Sequence, residues 1–337
     1  MWSNQRQSLI RGFNFYVRCR TTNMTLGTVS GNPDIHREFI ISKIPEDDLE
    51  RIQKTKEEEE IVNHTVNSID EEVERNITVF PQARFFFSYD GRAFDPAYDT
   101  IPEGLEGEYK IVPFLYDYQI RGAFKESISM LTRADGGKKN KDASGTKYDC
   151  SNITSYKKTV DGNWFCLNRK IPMFVPDTYL DDFGIEQSTY DAHGKLKLLQ
   201  RALRAETAQG PRVALSSSEI VPAGTEYYFG IRLLNVKDLK ACLETLDYKA
   251  LVGMLQWRGG GMGTFVWTLA NKDGIPYDDL DPELLTEEDR NIIRTVDAVY
   301  PGMVDLKRLG IEETAEQTEE APAPKKRGRK PKAATAE

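Results

Sequence analysis

The chain has 337 residues, 39% hydrophobic and 29% charged, with a net charge of −8. That is enough for one large domain or two ordinary ones, and no run approaches the length of an apolar membrane helix. The four cysteines (Cys19, Cys150, Cys166, Cys242) and three histidines (His36, His64, His193) are scattered without a CxxC pair, which argues against a metal site and for a reducing cytoplasm.

The first predicted element is a strand in which Phe13, Phe15, Val17 and Cys19 alternate with Asn14, Tyr16, Arg18 and Arg20. A turn-rich stretch, LGTVSGNPDIHREF, follows it. Residues 46–75 contain EDDLERIQKTKEEEE, an acidic start on strong helix formers, which predicts an exposed charged helix. NITVFPQARFFFSYDG then reads as strand, break, strand. Residues 119–132 place Ile120, Ala123, Phe124, Ile128 and Leu131 on one helical face, with Arg121 and Lys125 one turn apart on another. Residues 135–150 are a polar, basic loop that includes Lys138 and Lys139.

Asp161-Gly162 signals a turn before a strand ending near Arg169 and Lys170, and Pro172 and Pro176 argue against a regular central strand beyond Ile171. A second strand, TEYYFGIRLL, alternates Tyr227, Phe229, Ile231 and Leu233 against Glu226, Tyr228, Gly230 and Arg232. A helix follows Asn235 over 236–248, with Leu239, Cys242 and Leu246 at buried spacing. QWRGGGMGTFVWTL is a glycine loop leading into a strand. A last helix starts near Thr286. Beyond residue 311 large apolar residues almost vanish, which predicts a disordered tail.

Charge is segregated. Residues 45–108 carry 6 basic and 18 acidic side chains, whereas residues 110–170 carry 12 basic and 6 acidic, and residues 1–44 carry 6 and 2. The acidic excess is therefore local, and basic surface remains for an anionic partner. Binding nucleic acid needs cations for phosphates and flat groups for bases. The candidates are Arg121, Lys125, Lys138, Lys139, Arg169, Lys170, Arg201, Arg204, Gln209 and Arg212, then Trp257, Arg258 and the loop glycines Gly259, Gly260, Gly261 and Gly263. Tyr118 and Tyr228 are equally readable as base-stacking or core residues. The tail segment KKRGRKPK, with Arg327 and Arg329, reads either as an extended minor-groove arm or as a general polycation.

Catalytic signals are sparse. Asp34 beside Pro33 reads first as a turn residue, and His36 lacks an evident partner. Asp278, Asp279 and Asp281 lack the spacing of a calcium loop. No phosphate-cradling, nucleophile-elbow or zinc-protease motif is present. No cofactor is indicated.

Glu219 with Pro222–Thr225 before a core strand, the loop Gly259–Gly263, and the Arg121-Gly122 step opening a helix together resemble the repeat-associated mysterious protein (RAMP) superfamily. Its members are guide-RNA-binding backbone and processing subunits of CRISPR effector complexes. The resemblance spans residues 10–44 and 110–270. RKIPMF and RAETAQGPRVALSSSE are also similar to uncharacterised phage and prophage proteins of Gram-positive bacteria.

The resemblance implies an α+β fold, a modified ferredoxin-like (RRM-like) palm with large insertions. Residues 1–310 would form this domain, with a charged helical insertion at 45–75, a basic thumb-like loop and hairpin at 135–180, and a disordered basic tail at 311–337. It implies a non-catalytic protein that binds single-stranded RNA or DNA and assembles along the strand. Its partners would be further copies and other effector or replication subunits, in the cytoplasm of a bacterium or phage-infected host, without a membrane. Two alternatives stay open: an endoribonuclease using Asp34, which sits where target-cleaving relatives carry an aspartate, or the nearby His36 as general acid or base, and a phage structural or assembly protein.

Overall fold

A computed structural model describes residues 12–30, 77–134, 160, 162–181, 183–207 and 210–311. Asp34, His36, Lys138, Lys139, Gln209, Arg327, Arg329, the charged insertion, most of the proposed thumb and the basic tail lie outside the described residues.

The main sheet begins with β1 (Phe13–Thr21) and ends with β15 (Phe265–Ala270). Between them come β5 (Gln82–Ser88), β6 (Ala93–Phe94), β7 (Gly107–Tyr116), β8 (Trp164–Cys166), β9 (Lys170–Phe174) and β14 (Glu226–Leu233). Their order is β15-β1-β14-β9-β7-β5-β6, with β8 also on β14. All these pairings are antiparallel. Helix α1 (Asp117–Ala134) precedes β8 and β9, and α2 (Leu239–Val252) joins β14 to β15. The chain thus runs strand, helix, strand, strand, helix, strand through the four positions β15-β1-β14-β9. A long excursion separates β1 from α1.

The period-2 strands and the 3.6-period helices meet in one core. Phe15, Val17 and Cys19 of β1 lie with Tyr227, Phe229, Ile231 and Leu233 of β14 and Phe265, Trp267 and Leu269 of β15. Ile120, Phe124 and Ile128 of α1 and Leu239, Cys242, Leu243 and Leu246 of α2 cover them. Each such buried aliphatic or aromatic side chain contributes about 1.5–3 kcal/mol from water exclusion. Helix α3 (Glu287–Val299) adds Ile292, Ile293 and Val296. Thr286 opens it with a capping box to Asp289, the start the sequence predicts.

A second sheet contains β12 (Leu198–Thr207), β13 (Gly210–Val221), β4 (Ile77–Val79) and β3 (Val29–Ser30), with β2 (Thr25–Leu26) on β13. The β12–β13 pair is a long antiparallel hairpin running from Leu198↔Glu219 to Thr207↔Gly210. A small hairpin, β10 (Thr178–Leu180) with β11 (Glu186–Ser188), stands apart.

Two expectations are corrected. The segment after Asp161-Gly162 is not a hairpin of its own: β8 and β9 both pair with β14. They are one strand interrupted at Leu167–Arg169, where Gly230 N–H bonds the Asn168 side chain at 2.8 Å. Pro172 does sit inside a strand between two others. It faces Phe114 of β7, while β14 pairs only with Met173 and Phe174, so its missing N–H breaks no bond to β14. Of the two readings open for Tyr228 the structure gives core: β14 is buried on both faces there. The Tyr228 hydroxyl reaches the backbone of Ala93, and Gly274 lies against its ring.

Candidate nucleic-acid interface

The loop between α2 and β15 is built on two close backbone crossings. Gly253 has φ 91 and an added Cβ there would lie 2.2 Å from the Met262 carbonyl oxygen. Gly263 has φ 71 and its Cβ would lie 2.2 Å from the Met254 carbonyl oxygen. Both positions exclude a side chain. The crossing is tied by Met254 N–H to the Gly263 carbonyl at 2.9 Å and Gly263 N–H to the Met24 carbonyl at 2.8 Å. Gly259 and Gly261, by contrast, face open space. Only the middle of the glycine run is therefore free to meet a ligand; Gly263 is structural.

Between the crossings Leu255 (φ 64) and Trp257 (φ 56) take the left-handed conformation. A non-glycine residue there costs on the order of 1–2 kcal/mol. The turn leaves Trp257 47% exposed at the surface. Gly260 lies close against its indole, with an added Cβ 3.2 Å from the ring.

Arg201 of β12 lies over this indole, its guanidinium carbon 4.5 Å from the ring centroid. Its Nη2 donates to Gln256 Oε1 at 3.0 Å and to Ser218 Oγ at 3.4 Å. Ser218 also donates to Gln256 Oε1, at 3.1 Å, and receives the Thr78 hydroxyl at 2.8 Å. Arg201 Nε is buried without a partner, and no carboxylate among the described residues forms an ion pair with this guanidinium. Burial lowers its pKa from the ordinary arginine value.

Beside it runs an open groove of about 480 Å³. One wall is the α1 flank Gln119, Gly122, Ala123 and Glu126; the other is Leu255–Arg258, with Thr28 at the end and Lys249 below. Gly122 leaves this wall open. Gln119 is fixed at both ends of its amide, accepting Tyr116 N–H at 2.7 Å and donating to the Thr28 hydroxyl at 2.7 Å. Glu126 bridges two cations, Lys249 Nζ at 2.7 Å and Arg258 Nε at 2.9 Å. Partial burial opposes ionisation of Glu126, but its bonds to Lys249 and Arg258 outweigh that and hold its carboxyl below the usual range. Lys249 is only 1% exposed, and burial pulls its ammonium pKa down despite Glu126.

Among the sequence candidates the fold brings together Arg201, Trp257, Arg258, Gly259, Gly260 and Gly261. Arg121 and Lys125 lie off the groove, whose α1 wall uses the alternate flank. Arg169 and Lys170 are engaged elsewhere, over the Tyr98 ring at 5.2 and 5.5 Å, with Lys170 3.7 Å from Asp95. Arg204 and Arg212 lie on β12 and β13, paired through the backbone with Val213 and Ala205. Tyr228 is core and stacks on Phe174, whereas Tyr118 stacks on Tyr116. Glu219 is buried, its carboxylate accepting Phe80 N–H at 2.7 Å. Pro222–Thr225 is a tight connection in which the Thr225 hydroxyl donates to the Pro222 carbonyl at 2.8 Å.

Sequence reasoning missed Glu126, Lys249, Gln256 and Thr28. One signal was available: Lys249 continues the buried spacing Leu239, Cys242, Leu246, so a charge stands on an apolar stripe.

Among the described residues, no group of three His, Cys, Asp or Glu side chains is placed to hold a metal ion, and no helix is long and apolar enough to cross a membrane.

No family model matches the chain, and no curated protein matches its sequence. Among solved structures, a chain of a complex titled "Type IV-B CRISPR Complex" is similar at 10% identity and a TM-score of 0.34, over 81% of this chain and 100% of that one. At this score the likeness carries no inference about fold or function.

Proposed function

We infer that this protein is a single-stranded nucleic-acid-binding protein whose ligand lies in the groove between α1 and the glycine loop. The observation that carries the reading is Arg201: a part-buried guanidinium over an exposed tryptophan, with no carboxylate counter-ion among the described residues. A guanidinium with spare N–H groups suits a phosphate, and its planar face suits a base. The open glycines Gly122, Gly259 and Gly261 let a strand approach the backbone closely. The strand order β15-β1-β14-β9 with α1 and α2 supports a ferredoxin-like palm carrying insertions.

The reading is non-catalytic. The groove's ionisable groups are one carboxylate and its two cations, already satisfied by each other. Assembly of further copies along the strand has its own support in the tip of the β10–β11 hairpin. There Leu180, Phe183 and Ile185 are 71%, 88% and 58% exposed, a patch suited to protein contact.

The test is fluorescence anisotropy with labelled oligouridylate, oligothymidylate and a blunt duplex at low salt. Single strands bind far more tightly than duplex, and binding weakens steeply with salt. Equal affinity for the duplex, or no single-strand binding, refutes the reading.

A further inference from the structure

The geometry points to a second phosphate subsite next to Arg201, occupied in the free protein by the carboxylate of Glu126. This deepens the single-strand reading and rests on it. Glu126 bridges Arg258 and Lys249 through its two oxygens, the pattern that the non-bridging oxygens of a phosphodiester would make. It does so on the wall of the same groove, where Arg258 directly follows Trp257 in the chain.

The two cations are not equivalent. Lys249 is enclosed, with its side chain 2% exposed, while the Arg258 side chain is 41% exposed. A strand can therefore reach Arg258 but not Lys249. When a phosphate arrives at Arg258, Glu126 gives up that contact and keeps its bond to Lys249, so no buried charge is stranded. Arg201, Arg258, Lys249 and Glu126 together carry a net charge of +2, which matches two phosphates. Glu126 thus acts as a built-in competitor. It keeps the empty groove from holding stray anions and makes occupation of the second subsite conditional on a strand anchored at the first.

The experiment uses the full-length chain and labelled oligouridylate, titrated over a range of salt concentrations. Four variants are compared with the wild type: E126Q, K249M, E126Q/K249M and R201M. Thermal melting and circular dichroism confirm folding. E126Q binds roughly 10-fold more tightly at low salt. Its log affinity falls more steeply with log salt, by up to about 0.7 in slope, the increment of one further phosphate contact on a single strand. If E126Q fails to fold because Lys249 loses its partner, E126Q/K249M removes both buried charges and binds more tightly than K249M. Equal or weaker binding by the Glu126 variants, with R201M still weakened, overturns the competitor role alone. Unchanged binding by R201M overturns the single-strand reading on which it rests.

Discussion

Replacing Arg201 by methionine separates a ligand-binding role from a structural one. The substitution keeps most of the aliphatic stem over Trp257 and removes the guanidinium. Folding loses one good hydrogen bond, to Gln256 at 3.0 Å, worth about 1 kcal/mol. It also loses the stacking of a cation over the indole at 4.5 Å, about 0.5–1 kcal/mol at a partly exposed site. Against these stands relief from a part-buried cation whose Nε has no partner, worth about 1–3 kcal/mol. The contributions nearly cancel, so stability changes by about 1 kcal/mol or less in either direction. That is about 2–4 °C in Tm for a domain of this size. Binding behaves differently, because the anion that completes the site is lost with the cation. Removing one specific contact costs about 1–3 kcal/mol, or roughly 5- to 150-fold in affinity for a single strand. Differential scanning fluorimetry and anisotropy on the same preparation read both quantities. A Tm loss well beyond 4 °C would mean that Arg201 is a structural strut; unchanged affinity would mean that no phosphate uses it.

Four further outcomes follow from the same geometry. Gly253→Ala places a Cβ 2.2 Å from the Met262 carbonyl at positive φ and destabilises the fold by about 3 kcal/mol or more, whereas Gly259→Ala, with open space around it, leaves Tm nearly unchanged; melting curves of the pair check this. Thr286→Ala removes the α3 cap and costs about 1 kcal/mol by chemical denaturation. Glu219 is buried, which raises its carboxyl to about 7, with the Phe80 N–H opposing. A raised folded-state value means that the stability it contributes is full below the ordinary glutamate range and is lost as pH rises towards 7, by at most about 3 kcal/mol. Urea titrations of wild type and Glu219→Gln at several pH values test this: the variant gains relative stability at alkaline pH, and identical pH profiles would show that Glu219 titrates normally. Trp257→Ala withdraws the platform beneath Arg201 and weakens single-strand binding by about 10-fold, read by anisotropy, with little effect on Tm because the ring is half exposed.

Local structure was legible where burial and periodicity agree. Phe13 to Cys19, Tyr227 to Leu233 and the Ile120–Leu131 stripe each bury the face their spacing predicts. The Thr286 start was legible because its cap chemistry is local. What failed depended on distant partners. Pro172 is tolerated between strands because of where β14 stops pairing, which no window around residue 172 reveals. The choice between core and base-stacking at Tyr228, left open by the sequence, is made by Ala93 and Gly274, more than 40 residues away on either side, which cover it. The site divides in the same way. Arg201 and Trp257 could be named as candidates from their chemistry, but not as a stacked pair, since they come from a hairpin and a loop 56 positions apart. Glycine content alone did not separate Gly253 and Gly263, which permit a backbone crossing, from Gly259 and Gly261, which face solvent.

The contrast between Arg258 in the groove and Arg201 beside it follows from their elements. Arg258 is in a loop packed against α1, and a helix can present a carboxylate there: Glu126 lies one turn beyond Gly122 and Ala123 on the same flank. Arg201 projects from a strand whose neighbours at that level are Ser216 and Ser218 of β13 and, beyond them, Thr78 of β4. Hydroxyls can orient a guanidinium but cannot neutralise it. Among the described residues, the groove's Arg258 therefore has a carboxylate counter-ion, and Arg201, over the groove residue Trp257, has none. The left-handed backbone at Leu255 and Trp257 turns the chain so that Leu255 packs against the core while Trp257, beneath Arg201, is left half exposed.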